Sequence, residues 1–406
     1  MNKERLRQFI KEMPKCDLHV HLGGSIRIKT LIELAQKRNI ILPSYTEAGL
    51  NETVFKDSYK DLPEYLKGFD YTIAVMQTPE DLERVAYEFA WDNINEGVCY
   101  VEVRFAPQLC INKLMNINDV FKAVSNGLER AKNEYNSSEK VTKQNFSEFE
   151  YGIISCAMRS MPKSEYFDKL LEVHGSSSAR RVSALASYEL VLAMIKAREK
   201  GYKIVAFDLA GAEDGFPAVE HKDAYALAHK NFFKKTVHAG EAYGAESIFQ
   251  AITELHADRI GHGYYLFSEE MIKNKTIKNK KDFIKKLVEY IADARITIEV
   301  CLTSNLQTNP HIGNLKNHSF KKMMENKLSI AICTDNRTVS KTTVSRELEL
   351  AVDNFNLSSK ELKNCMIYGL KRSFYPGSYI AKREYVRKVI DHFLTVEKKY
   401  SDLFDK

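Results

Sequence analysis

The stretch Lys15-Cys16-Asp17-Leu18-His19-Val20-His21-Leu22 is a short apolar run that ends in two histidines one residue apart. On a β-strand, residues i and i+2 point to the same face, so a strand here would aim both imidazoles into one volume. Paired imidazole nitrogens are ligands that suit a zinc-class ion. The stretch therefore predicts a strand that carries part of a metal site, and the rest of the sequence has to supply the other ligands.

Short apolar runs of this kind recur along the 406 residues, and each is followed by a longer helical pattern. The predicted strands are Lys15–Leu22, Val98–Pro107, Phe149–Met158, Tyr202–Gly211, Lys234–Glu241, Asp258–Tyr264, Ile296–Asn305 and Ser329–Asn336. Amphipathic stretches between them predict helices, among them Thr78–Glu96, Asp119–Glu134, Ser187–Lys200 and Glu246–Leu255. Eight strands that alternate with helices favour an α/β fold, a closed (β/α)8 TIM barrel. A doubly wound open sheet is the alternative, but Gly23-Gly24 is too weak to be a dinucleotide fingerprint.

Three segments depart from this alternation. Residues 40–72 hold no clear strand and predict a lid insertion after the first strand, with helices over the barrel mouth. The stretch 159–186 predicts a polar loop followed by a helix. From Ser358 to Lys406 the pattern predicts terminal helices, with 394–406 as a frayed or surface end. Because no internal repeat or low-complexity tract interrupts the chain, we expect one domain over residues 1–406.

Composition and charge narrow the class of protein. The chain is 44% hydrophobic and 28% charged, which is typical of globular proteins, and its net charge of +6 is small. The lysine-rich stretch 273–286 favours a solvated loop and helix face over a nucleic-acid interface. The seven cysteines are scattered and predict buried free thiols in a reducing cytosol. With no apolar leader and no run of about 18 uncharged apolar residues, we expect a cytoplasmic protein.

Reactive residue types follow the predicted strands at their C-terminal ends, where barrels build their active sites. Besides His19 and His21, these ends carry Asp208-Leu209-Ala210-Gly211, Val237-His238-Ala239-Gly240-Glu241, Gly261-His262-Gly263, Thr303-Ser304-Asn305 and Thr334-Asp335-Asn336. Singly, each has an ordinary structural explanation: a lone histidine is usually a hydrogen-bonded structural residue, and an Asp after a strand is usually a helix N-cap. Their repetition at so many strand ends favours an active site.

A coordination set follows from these ends. His19, His21, His238 and Asp335 would supply three nitrogens and one oxygen, which with one open position suits a catalytic zinc ion, Zn2+. Iron, cobalt or manganese would also be accommodated. Zinc can lower the pKa of its bound water to about 7.

Two further residues suit acid–base chemistry beside such an ion. Glu241, three residues after His238, would shuttle a proton to the substrate, and His262 would hold or deprotonate the attacking water. Within the fourth predicted strand, the segment Ile204-Val205-Ala206-Phe207-Asp208-Leu209-Ala210 has no lysine of the kind that bridges two metals, which favours one metal ion per chain.

Taken together, these segments resemble the signatures of the adenosine deaminase family of amidohydrolase barrels. The segments that carry the resemblance, in family order, are 14–22, 101–107, 208–211, 236–241, 259–263, 303–305 and 334–336. The resemblance covers roughly residues 13–340. It implies zinc-dependent hydrolytic deamination of a 6-aminopurine nucleoside, adenosine to inosine and ammonia, in purine salvage.

The resemblance also implies residue roles. In the family, the residues that correspond to the four predicted ligands hold zinc. The residue that corresponds to Glu241 protonates N1 of the purine, and the residue that corresponds to His262 activates the water that attacks C6. The backbone N–H of Gly211 would donate to N3. Four apolar residues at helical spacing match the lid helix that covers the substrate in the family: Leu62, Tyr65, Leu66 and Phe69. For each of them, ordinary core packing is the alternative interpretation.

Two positions depart from the best-known family pattern. Gly23 stands where many members have an Asp that contacts the ribose 5′-hydroxyl. Either another residue or a water replaces that contact, or the site tolerates a 5′-modified nucleoside such as 5′-methylthioadenosine or aminodeoxyfutalosine. Asn336 stands where animal enzymes have a second Asp facing N7, and because an amide donates at any pH we predict that function is preserved.

Two other function classes stay open from the sequence. One is a barrel metallohydrolase acting on amides or phosphoesters, which two metal ions per chain would favour. The other is a non-catalytic nucleoside-binding relative, which inertness toward aminopurine nucleosides would favour. As partners we expect a purine nucleoside and water, with no nucleic acid or membrane, and a monomer or weak homo-oligomer.

Overall fold

The computed structural model describes residues 3–144 and 146–403, and its strands form one eight-stranded parallel sheet in sequence order. The strands are β1 Lys15–His21, β2 Val98–Phe105, β3 Glu150–Met158, β4 Ile204–Ala210, β5 Lys234–Ala239, β6 Arg259–His262, β7 Thr297–Val300 and β8 Ser329–Ile332. This architecture, with helices around the sheet, confirms the predicted (β/α)8 TIM barrel.

The helices flank the barrel and cover both of its ends. In chain order they are α1 Lys3–Glu12, α2 Ile28–Arg38, α3 Glu47–Thr53, α4 Leu62–Leu66, α5 Gly68–Val75, α6 Pro79–Asn95, α7 Ile117–Asn136, α8 Glu139–Thr142, α9 Glu165–Val173, α10 Ala179–Glu199, α11 Lys222–Lys230, α12 Ala245–Thr253, α13 Lys280–Asp293, α14 Leu302–Thr308, α15 Phe320–Glu325, α16 Val344–Phe355, α17 Ser359–Arg372 and α18 Tyr379–Lys399. The four helices predicted from amphipathic stretches are confirmed as α6, α7, α10 and α12.

Backbone hydrogen bonds between the first strand and the loop after the last one complete the barrel. Val20 and Asp335 form a parallel bridge. The His21 N–H donates to the Asp335 carbonyl at 2.7 Å, and the Asp335 N–H donates to the His19 carbonyl at 2.8 Å. Because three of the predicted metal ligands take part in this seam, closing the barrel also brings those side chains together.

The barrel interior contains an ionic network below the catalytic end. Arg259 Nε lies 2.6 Å from Glu299, and its Nη2 pairs with Glu102. Arg104 Nη2 lies 2.9 Å from the other oxygen of Glu299. All four side chains are buried. Buried charges need such pairing, since an unpaired one carries a large desolvation cost.

Two of the expectations for irregular segments are wrong in part. The stretch 159–186 contains α9 besides its polar turns. The terminal segment is ordered through α18, and the Tyr400 ring packs edge-on against Phe9 with centroids 5.8 Å apart, while its hydroxyl donates to Glu12 at 2.7 Å. Apolar packing therefore holds residues 394–403 on the fold; residues 404–406 lie outside the described ranges.

The cysteines, the lysine-rich stretch and the insertion after β1 each have a defined place in the structure. All seven cysteines are buried and unpaired, as predicted. The lysine-rich stretch runs from a surface loop into α13, and six of its seven lysines are exposed. Residues 40–72 form α3, α4 and the start of α5. Among the described residues, we find no helix that combines the length and apolar character needed to cross a membrane.

Candidate active site

A cavity of about 360 Å³ opens at the C-terminal ends of the strands, which is the size of a small-molecule site. Its walls are mostly apolar, and charged groups gather at its floor. The predicted site residues that line it are His21, Gly23, Leu62, Tyr65, Leu66, Phe69, Gly211, His238, Glu241, His262, Asp335 and Asn336. The remaining one, His19, is fully buried among the floor residues. The fold therefore gathers all of them around one cavity.

Potential ligand atoms of His19, His21, His238 and Asp335 converge at this floor, all within 4.8 Å of one another. Nε2 of His21 lies 3.2 Å from Nε2 of His238. Oδ1 of Asp335 lies 3.4 Å from Nε2 of His21 and 3.5 Å from Nε2 of His19. Three imidazole nitrogens and one carboxylate oxygen thus surround one point.

These spacings fit a single bound ion. Donor atoms about 2.0–2.2 Å from a tetrahedral zinc ion lie about 3.3–3.6 Å from one another. Nε2 of His19 is buried and has no hydrogen-bond partner among the described residues, as expected of a nitrogen that would bind a metal. Ser304 Oγ donates to Oδ2 of Asp335 at 2.6 Å, which leaves Oδ1 toward the other ligand atoms.

Two buried carboxylates orient the histidines of this cluster. Oε2 of Glu299 lies 2.8 Å from Nδ1 of His19, and Oδ2 of Asp208 lies 3.1 Å from Nδ1 of His238. Arg104 donates to both carboxylates, at 2.9 and 3.0 Å. A carboxylate on Nδ1 fixes an imidazole with the Nε2 lone pair free for a metal. The network below the site therefore fixes the ring orientations of two of the predicted ligands, His19 and His238.

The ionisation of His21, His238 and Asp335 also suits a cation. Burial lowers the pKa of both His21 and His238, which keeps these imidazoles neutral. Burial acts against ionisation of Asp335 too, yet the imidazole groups around it, first that of His19 at 3.5 Å and then those of His262 and His21, hold its pKa well below the usual range. Neutral imidazoles beside an ionised carboxylate are the forms that bind divalent metals.

Glu241 lies at the start of the loop after β5 and is almost fully buried. Burial raises the pKa of its carboxyl well above the ordinary value, and the negative charges of Asp335 and Glu213 raise it further. Its Oε1 lies 3.6 Å from Nε2 of His262. A carboxyl group kept protonated at neutral pH can donate a proton to a bound molecule.

The loop that carries Glu241 is organised by the carboxylate of Glu213. That carboxylate accepts four consecutive backbone N–H groups, at 2.7–3.0 Å, and the hydroxyl of Ser247; the four belong to residues 240–243. Since Glu213 is itself only 3% exposed, these donors replace its solvation shell. The loop is therefore held in one conformation by a single buried group.

His262 and Asp335 both have left-handed backbone conformations, with φ of 66° and 60°. Such values are uncommon for residues with a side chain and tend to occur at functional sites. Nδ1 of His262 lies 3.2 Å from Nδ2 of Asn305, and Oδ1 of Asn305 lies 3.2 Å from Nε2 of His318. All three side chains are buried, so His262 is anchored from the side away from the cavity.

The lid residues lie where the sequence places them, although not on one unbroken helix. The helical turn is interrupted at Lys67, between α4 and α5. Asp61 caps α4 by accepting the Glu64 N–H at 2.9 Å. The Phe69 ring meets that of His21 edge-on, with centroids 6.2 Å apart. The two short helices together cover the cavity.

The two departures from the family pattern have distinct surroundings. A Cβ on Gly23 would lie 3.4–3.6 Å from the Met76 methyl, the Phe69 ring and the Thr72 hydroxyl, so α5 packs against this position. Asn336 is buried, and its Nδ2 donates to the Tyr65 hydroxyl at 2.7 Å. Gly211, with φ of 98°, needs the freedom of glycine to turn the chain at the end of β4.

Sequence reasoning missed several residues that shape this site. Asp208 and Arg104 lie in segments quoted for the family resemblance but received no role, and Glu213, Glu299 and His318 were not singled out. A charged residue inside an otherwise apolar strand is the signal that marks Arg104 and Glu299. Loop residues such as Glu213 and His318 carry no such signal, because their partners are distant in sequence.

Comparison with known proteins relates this sequence to adenosine deaminases. The sequence profile of the family described as Adenosine deaminase matches residues 14–392. An adenosine deaminase of Clostridium botulinum is 34% identical over 365 residues, which cover 90% of this chain and 95% of that protein. A probable adenosine deaminase of Dictyostelium discoideum is 33% identical over 397 residues; the match covers 97% of this chain and 45% of that longer protein.

Among solved structures, an amidohydrolase from Burkholderia ambifaria with bound zinc has the same fold. Its TM-score is 0.76 at 20% sequence identity, with 98% of this chain and 95% of that one covered. At this sequence identity, the likeness shows a shared fold only.

Proposed function

Because the chain belongs to the adenosine deaminase family and is a hydrolytic deaminase, we propose that it converts adenosine to inosine and ammonia with one zinc ion per chain. The observation that carries this proposal is the convergence, at the floor of one apolar cavity, of a four-ligand cluster with Glu241 and His262. We assign this cluster as the metal ligands: His19, His21, His238 and Asp335.

A zinc ion held by these four residues would supply the Lewis acidity that lowers the pKa of water at the site to about 7. The protein residues supply the rest. Glu241, protonated in its buried position, donates to N1 of the purine and makes C6 more electrophilic. His262, at the end of β6, has its Nε2 3.6 Å from Oε1 of Glu241, and from there it would contact the attacking oxygen.

The substrate is positioned by groups around the cavity. The backbone N–H of Gly211 donates to N3, and the amide of Asn336 donates to N7. Leu62, Leu66 and Phe69 cover the base and exclude water, which strengthens the polar interactions at the floor.

Incubating the purified, zinc-loaded protein with adenosine tests this function. We expect release of ammonia and the change from the absorbance spectrum of adenosine to that of inosine. Glu241→Gln, which keeps the shape but cannot supply the proton, should lower kcat by at least about 10²-fold. Lack of turnover of every aminopurine nucleoside offered would contradict the proposal and favour a binding protein.

A second candidate substrate is an adenosine with an apolar 5′ substituent, such as 5′-methylthioadenosine. The observation that favours it is the apolar environment of Gly23, formed by Phe69 on α5 and by Met76, which directly follows that helix. The Thr72 hydroxyl in the same place would instead serve a free 5′-hydroxyl. Comparing kcat/KM for adenosine, 5′-deoxyadenosine and 5′-methylthioadenosine decides between them, since a clear preference for adenosine excludes the apolar substituent.

A further inference from the structure

A chain of hydrogen bonds connects His262 to a backbone amide outside the cavity. From Nδ1 of His262 it runs through the side chain of Asn305 to Nε2 of His318, with two contacts of 3.2 Å. It ends where the Phe320 N–H donates to Nδ1 of His318 at 3.0 Å. Because the three side chains are buried, the polarity of each bond is set within the protein.

The backbone amide determines the direction of the whole chain. A peptide N–H can only donate, so Nδ1 of His318 has to be the unprotonated nitrogen. Burial lowers the pKa of His318 to about 3, which keeps this imidazole neutral with its proton on Nε2. Nε2–H then donates to Oδ1 of Asn305, and the amide group of Asn305 is left facing His262.

The same reasoning extends to His262. An amide NH2 group can only donate, so Nδ1 of His262 accepts and a neutral His262 carries its proton on Nε2. Nε2 is the nitrogen that faces the site, 3.6 Å from Glu241, and it has no hydrogen-bond partner within the described ranges. If the Asn305 amide were flipped, its NH2 group would face the Nε2–H of His318, and two donors would oppose each other at that contact.

We propose that Asn305 and His318 are positioning residues that hold His262 as the Nε2–H tautomer, which donates a hydrogen bond to the attacking oxygen. This inference rests on the proposed function and sharpens it. Of the two roles open to His262 from sequence, holding the water and deprotonating it, this tautomer supports the first, because its Nε2 has no lone pair for a proton.

Asn305→Asp provides the sharpest test because it reverses one bond with almost no change of shape. The new carboxylate still accepts from His318, but it also accepts from His262, which forces the Nδ1–H tautomer. We expect nitrogen-15 spectra of histidine-labelled, zinc-loaded protein to show His262 Nδ1 changing from the unprotonated to the protonated type. A His262→Gln sample assigns the resonance.

Kinetics give the second measurement. Reversing a catalytic histidine tautomer in the serine protease triad costs about 10⁴ in kcat, so we expect Asn305→Asp to lower kcat by about 10²–10⁴. KM for adenosine should change little. His318→Gln is the conservative variant that tests the bond pattern rather than the imidazole ring: its amide can donate to Asn305 and accept from the Phe320 N–H, so the Nε2–H tautomer of His262 should be retained.

Three results would overturn the inference: a protonated Nδ1 on His262 in the wild-type protein, an unchanged tautomer in Asn305→Asp, or wild-type kcat in that variant. The spectra need no substrate. A protein with the expected tautomer that turns over no aminopurine nucleoside would therefore refute the proposed function while leaving the tautomer assignment in place.

Discussion

The hydroxyl of Tyr65, in the lid helix α4, accepts a hydrogen bond from Nδ2 of Asn336 at 2.7 Å. The same hydroxyl lies 2.7 Å from Oγ of Ser340. Oδ1 of Asn336 packs so closely on Gly24 that a Cβ there would lie 1.8 Å from it. The amide that we propose for purine recognition is thus fixed by the lid on one side and by a glycine on the other.

Removing the hydroxyl in Tyr65→Phe should loosen this arrangement. We expect kcat/KM for adenosine to fall about fivefold, the equivalent of one hydrogen bond of about 1 kcal/mol. Tyr59→Phe is the matched control, because Tyr59 is buried in the same lid. Among the described residues, its hydroxyl bonds only lid backbone, at Val54 and Lys56. Equal effects of the two substitutions on kcat/KM would show that the Asn336 contact has no special part.

Asn336→Ala removes the purine-facing amide itself. The loss of a buried donor to N7 costs about 1–3 kcal/mol, so kcat/KM should fall by about 5- to 150-fold. Steady-state kinetics with adenosine measure this directly. An unchanged kcat/KM would remove Asn336 from the substrate site and leave it a purely structural partner of Tyr65.

The sequence predicts the barrel and the positions of its reactive residues because both depend on local patterns. An apolar run such as Lys15–His21 specifies a strand, and the C-terminal ends of parallel strands meet whatever the loops do. The sequence therefore predicts that His238 and Asp335 lie at this end of the barrel, and in the structure their potential ligand atoms lie close together there. The bonds that tune them come from residues far away in sequence.

Glu213 and His318 illustrate that limit. Glu213 has partners 27 to 34 residues away, and His318 reaches His262 only through Asn305. No periodicity marks such residues, since their role depends on how loops pack rather than on strand or helix patterns. The break between α4 and α5 at Lys67 and the packing of Tyr400 on Phe9 are likewise set by tertiary contacts.

Glu213→Gln tests the anchoring of the Glu241 loop. The substituted amide turns two N–H donors toward backbone N–H groups that need an acceptor, which costs about 1–3 kcal/mol. We expect kcat to fall more than KM rises, because Glu241 loses its position while the cavity walls remain. Glu220→Gln is a suitable control on the same connection, since its side chain bonds Arg180 at the surface. Wild-type kcat in Glu213→Gln would show that the loop holds its shape without this carboxylate.

Asp208→Asn and Glu299→Gln test the preset orientation of the metal ligands. Loss of a carboxylate that orients a ligand histidine weakens metal binding by about 10- to 100-fold in comparable sites. We expect this loss in zinc titrations against a competing chelator, and a matching decrease in the thermal stabilisation that zinc confers. Glu150 is an ion-paired carboxylate at the opposite end of the barrel. The control variant Glu150→Gln should therefore have the same zinc affinity as the wild-type protein. Unchanged zinc affinity in both variants would contradict the assigned ligands.

Glu347 predicts a specific pH dependence of stability. Its buried carboxyl accepts hydrogen bonds from Thr303 and Thr342, yet burial raises its pKa from 4.5 to about 7. The folded protein therefore binds this proton more tightly than the unfolded chain does. The resulting stabilisation is complete below pH 4.5 and is lost as the pH rises through 7. Relative to Glu347→Gln, the wild-type free energy of unfolding should fall by about 1–3 kcal/mol between pH 5 and 8 in excess zinc. Denaturant titrations at several pH values measure it, and parallel curves for the two proteins would contradict the raised pKa.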